Sequence, residues 1–165
     1  MTSPADPSLD VEAVTSLVAD TFRRIHRERM AGLPILHPDL SVAVVGGQAW
    51  DGDWLGVLVT PWCLNLVLVP GPGSAREPGP FGSKLQLDLP AGRFEFLASE
   101  EEGVGRFAAC SLVSPMHQFA DQAAAVATAE EVMTALFQPE APAAAEPPQG
   151  PTLSRRDLLR GGFRR

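Results

Sequence analysis

The chain has 165 residues, 45% of them hydrophobic, and a formal net charge of −7. Five arginines against Glu140, Glu146 and Asp157 give residues 140–165 a charge of +2, which leaves −9 on the preceding body. That acidic body excludes nucleic acid and anionic membrane surfaces as natural partners, since both need a basic face, and it suits a partner that presents arginines.

Pro4 and Pro7 predict a loose start. A helix is expected from about Ser8, with Ser8 or Asp10 as N-cap and Glu12 in the first turn. Val11, Val14, Val18, Phe22 and Ile25 recur at three- and four-residue steps and form one apolar stripe. Arg23, Arg24, Arg27 and Arg29 fall mostly on the other face, interleaved with Asp20 and Glu28, and Gly32 and Pro34 end the helix.

A β-rich middle follows. "LSVAVVGGQAW" and "DWLGVLVT" read as strands joined by an Asp51-Gly52 hairpin turn. "WCLNLVLVP" begins after Pro61, which marks a kink or an edge. "GPGSAREPGP" is a loop, and its prolines remove the N–H donors that a phosphate-binding loop needs. "SKLQLDLP", "RFEFLAS" and "RFAACSLV" are three more short strands, the first two alternating apolar and polar residues, with tight turns between. Ser114-Pro115 has the form of a helix start, Ser as N-cap and Pro at the first helical position, with Phe119, Ala123, Val126, Met133 and Leu136 or Phe137 as the buried stripe. The predicted fold is α+β: an antiparallel sheet with both helices packed on one face and a flexible C-terminal tail. Residues 8–137 form the domain, 138–152 a Pro/Ala-rich linker, and 153–165 a basic tail.

Catalytic chemistry has little material here. Cys63 and Cys110 make no CxxC or CxxH spacing, so neither a disulfide framework nor a metal site is expected, and no cofactor is implied. A Cys110–His117 nucleophile pair is the enzymatic alternative, weaker than the reading of both thiols as core. The longest apolar run, Leu55–Val69, is broken by Thr60-Pro61, so no membrane insertion is expected. Trp50, Trp54 and Trp62 crowd one hairpin region together with Asn65, more than a small sheet's core requires, and tryptophan is enriched at binding hot spots. Asp51/Asp53 and Glu100–Glu102 fall in predicted turns, where they are either solvated or an acidic rim for guanidinium groups.

"DGDWLGVLVTPWCLNLVLVPG", "LPAGRFEFL" and "CSLVSPMHQFADQAAAVATA", long blocks in order, resemble the HybE/HupJ family of nickel–iron hydrogenase assembly chaperones. Cys63 stands where a bulkier apolar residue is expected, and Val113 where an aromatic is common. The resemblance implies a cytoplasmic maturation factor that is not an enzyme. It would bind the hydrogenase small-subunit precursor with its twin-arginine signal and coordinate assembly with the large subunit and other maturation proteins before export. The expected contact residues are Trp54, Trp62 and Asn65 in the hairpin region, Asp51 and Asp53 as acids, and Ser114, Pro115, Met116, Phe119 and Asp121 around the second helix start. The tail phrase "LSRRDLLRGG" looks like a twin-arginine signal in the wrong place. Arg155 and Arg156 are expected either to imitate the partner's signal and fold back on the acidic body, or to dock on another maturation protein or the translocon, or to form a basic tail that only aids solubility.

Overall fold

The computed structural model describes residues 9–74, 76 and 78–138. Helix α1 spans Val11–Ile25 and runs on into one π-helical turn, His26–Met30. Asp10 caps it, its carboxylate accepting from the Ala13 N–H at 3.0 Å. Strands β1 (Ala43–Trp50), β2 (Asp53–Val59), β3 (Leu64–Val69), β4 (Lys84–Leu89), β5 (Gly92–Glu101) and β6 (Gly105–Val113) precede helix α2, Gln122–Leu136. The strands form one sheet, ordered β1-β2-β3-β6-β5-β4, with every pair antiparallel. Asp51 and Gly52, at φ 52° and 86°, make the two-residue turn from β1 to β2.

The antiparallel sheet with two helices is as expected, but the helices lie on opposite faces. Trp54, Leu58, Val67, Val69 and Phe107 pack with Val14, Val18 and Phe22 of α1. Their neighbours Leu55, Val57, Val59, Leu66 and Leu68 pack with Ala125, Ala129, Val132 and Met133 of α2. The physical reason lies in β2 and β3, which are near-continuous apolar runs; a strand of that kind must be covered on both sides. Adjacent glycines in the β1 bulge admit both helices. A side chain at Gly46 would place Cβ 2.7 Å from Met133 Cγ of α2, and one at Gly47 would place it 2.7 Å from Thr15 Oγ1 of α1.

The start of the second helix is also corrected. Ser114–Pro115 is a cis peptide in a loop, and α2 begins at Gln122 with Asp121 as N-cap, its carboxylate accepting from the Ala124 N–H at 2.9 Å. Its buried face is Ala125, Thr128, Ala129, Val132, Met133 and Leu136, not the stripe through Ala123 and Val126. Ser-Pro satisfies the local rule for a helix start, but Asp121 satisfies the capping geometry seven residues later, where alanine-rich sequence follows.

Candidate partner-binding surface

α1 covers only part of its face of the sheet. On that face Asn65 of β3 pairs with Ser111 of β6, and Ala109 of β6 pairs with Leu97 of β5, which pairs in turn with Lys84 of β4. Ser111, Leu97 and Lys84 are exposed, Leu97 to 49%, while Asn65 and Ala109 are half-buried. Trp62, in the β2–β3 turn, stands at the rim beside His26 of the π-helical turn, with ring centroids 5.9 Å apart. The Asn65 Oδ1 is buried and has no hydrogen-bond partner among the described residues. A buried acceptor without a donor carries a desolvation cost that a partner's N–H would relieve.

The rest of the predicted site divides. Ser114, Pro115, Met116 and Phe119 do come to the Trp62 end of the sheet, where Ser114 Oγ donates to the Trp62 carbonyl at 3.4 Å. Met116 and Phe119 are buried in the α2-side core, and only Ser114 and Pro115 of the four reach the surface. His37 ties this loop to the segment before β1. Its Nε2 donates to the Phe119 carbonyl at 2.7 Å and its Nδ1 accepts from the Asp39 N–H at 3.0 Å, which fixes the tautomer with the proton on Nε2. His117 stacks on His37, with centroids 6.2 Å apart, and lies in the loop instead of the first turn of a helix. Cys110 is 2% exposed in the α2-side core, so the imagined Cys110–His117 pair has a nucleophile that no substrate can approach. Cys63 is also buried; burial pushes its thiol up, only partly offset by its hydrogen bond with Thr60.

Trp54 is fully buried between the sheet and α1, and its indole N–H donates to Thr15 Oγ1 at 2.9 Å. It is a core residue. Asp53, placed by sequence reasoning in a turn as either a solvated acid or part of a rim for guanidinium groups, is fully buried at the first position of β2. Its Oδ1 accepts from the Gly71 N–H at 2.9 Å and its Oδ2 from Arg76 at 2.7 Å. Arg76 also reaches Asp51 Oδ2 and lies with its Cζ 4.5 Å over the Trp50 ring centroid. Burial works to lower the Arg76 pKa, but the hydrogen bonds and charges of Asp51 and Asp53 outweigh it and raise it above its ordinary value. Sequence reasoning missed Arg76; its only signal was a single cation, next to Glu77, in a Pro/Gly-rich stretch. Arg155 and Arg156 lie outside the described residues.

A family model for NiFe-hydrogenase assembly chaperone, HybE, matches residues 13–161. The hydrogenase expression/formation protein HupJ of Bradyrhizobium diazoefficiens is 42% identical over 163 residues, covering 96% of this chain and 94% of that protein. HupT of Azotobacter chroococcum, also a hydrogenase expression/formation protein, is 45% identical over 142 residues, covering 86% and 91%. The solution structure of HybE from Escherichia coli superposes with a TM-score of 0.62 at 29% identity, covering 75% of this chain and 76% of that one. The order of the blocks, the six-stranded sheet and these matches agree: the chain belongs to the HybE family of NiFe-hydrogenase assembly chaperones.

Proposed function

We propose that this chaperone binds the precursor of the hydrogenase small subunit in the cytoplasm, its twin-arginine signal included, and holds it until the large subunit is joined. The observation that supports this reading is the uncovered sheet face, where half-buried Trp62 and exposed Leu97 flank the unpartnered Asn65 oxygen. An aromatic anchor and an exposed apolar residue offer an extended peptide's apolar side chains two contacts. The tail phrase around Arg155 and Arg156 then acts as an internal imitation of the signal, holding the site until the precursor displaces it.

Calorimetric titration with the small-subunit precursor tests the reading. Trp62→Ala and Leu97→Ser should each weaken binding about tenfold, in line with loss of a hot-spot contact. Removing the client's signal should do the same, and ending the chain after Gln138 should tighten binding to signal-bearing precursor alone. Equal affinity with and without the signal would favour a scaffold that joins the two subunits and ignores the signal. No binding of the precursor at all would overturn the reading.

A further inference from the structure

The corner where β1 turns into β2 is built around one guanidinium group. Arg76 sits there with one nitrogen on Asp51 and the other on Asp53 at 2.7 Å, and with its face toward Trp50 at 4.5 Å. Two carboxylates in the plane and an aromatic ring on the face complete the recognition that a planar, fork-shaped cation can receive. We propose that this corner is an exchange site for an arginine side chain: Arg76 holds it in the unpartnered chain, and an arginine of an extended partner peptide displaces Arg76.

Two observations favour exchange over a purely structural ion pair. A structural latch needs only Asp53, which is fully buried and already satisfied on one oxygen by Gly71, whereas Asp51 is 67% exposed and open to an incoming group. Finally, a cleft of about 420 Å³ opens from Arg76 along Val69, Gly71, Ser74, Val104 and Arg106, with room for the residues that follow the arginine. Its lining sets their chemistry. Val69 and Val104 accept apolar side chains, and Arg106 accepts an acidic one. The ligand is thus a peptide with arginine followed by acidic and apolar residues, the order Arg156-Asp157-Leu158-Leu159 has in the tail. That such a peptide comes from a hydrogenase precursor rests on the proposed function; the exchange itself does not.

The test uses the full chain and a fluorescein-labelled synthetic peptide, SRRDLLRGG, with a lysine version that holds no arginine, SKKDLLKGG. Arg76→Ala should bind the arginine peptide at least tenfold more tightly than the unaltered chain, and the lysine peptide at least fivefold less well than the arginine one. Equal affinity of Arg76→Ala and the unaltered chain would overturn the proposal. So would equal affinity for the two peptides. If Arg155→Ala/Arg156→Ala unmasks binding while Arg76→Ala does not, the tail and not Arg76 holds the corner, and the exchange fails as stated. Should Arg76→Ala not fold, the unaltered chain still decides: saturating arginine peptide must change tryptophan emission, and Trp50→Phe must abolish the change. Loss of the precursor titration with peptide exchange intact would sink only the proposed function, and the reverse would sink only the exchange.

Discussion

Thr15 Oγ1 accepts the Trp54 indole N–H at 2.9 Å, so the middle of α1 is bonded to the ring that fills the gap between helix and sheet. Thr15→Val keeps the shape and removes the acceptor. The buried N–H then stays unsatisfied, and the chain should lose about 1–3 kcal/mol in urea denaturation, with partner affinity of the folded protein unchanged. A loss of affinity at unchanged stability would put Trp54 back among the contact residues.

Gly47 is packed between that pair. A methyl group there would lie 2.7 Å from Thr15 Oγ1 and 2.8 Å from Trp54 Cζ2, distances that force helix or ring to move. Gly47→Ala should cost about 1–3 kcal/mol, read as a fall in Tm, although alanine suits a strand better than glycine does. An unchanged Tm would mean that α1 floats on the sheet.

The Cys63 thiol is raised by burial, with the Thr60 hydrogen bond opposing weakly, so the folded chain holds its proton to higher pH than the unfolded chain. The contribution to stability is complete below the ordinary thiol pKa. It fades as pH rises beyond roughly 8.5, where the unfolded thiol ionises first, toward the folded value. Denaturation between neutral and alkaline pH should therefore show a decline that Cys63→Ala reduces. Parallel curves would dismiss the linkage.

His37 is 8% exposed and joins two loops through Phe119 and Asp39. His37→Ala should lower stability by about 1–3 kcal/mol, because a buried carbonyl and an amide both lose a partner. It should also loosen the Ser114–Pro115 surface next to Trp62. Amide hydrogen exchange across residues 36–41 and 115–120 should rise together, and a rise on one side only would show that the loops are held independently.

Much of this architecture was readable before any coordinates. Alternation in "KLQLDL" and "RFEFLAS", with glycine at the turns, marks half-exposed strands, and β4 and β5 are the strands whose α1-side face stays open. The same rule did not place the helices, because "DWLGVLV" has no polar side to indicate which face is wet. Trp54 and Trp62 look alike in sequence; one is sealed under α1 and the other is at a turn, and only the crossing of α1 separates them. The pairing of Arg76 with Asp51 and Asp53 was illegible for a different reason. It joins positions 23 and 25 residues apart across a loop whose path no periodicity records.

The strand order has a kinetic consequence. β1-β2-β3 is one meander and β4-β5-β6 is another, each built from neighbours in the chain, and they meet along a single seam where β3 lies against β6. Closing that seam joins residues 40 to 49 positions apart, while every hairpin closes over a few, so its entropy cost falls on one step. Each half can therefore form early and locally, and the pairing of Leu66 with Cys110 is expected to close last. Until then the chain consists of two ribbons with their apolar inner edges still exposed to water.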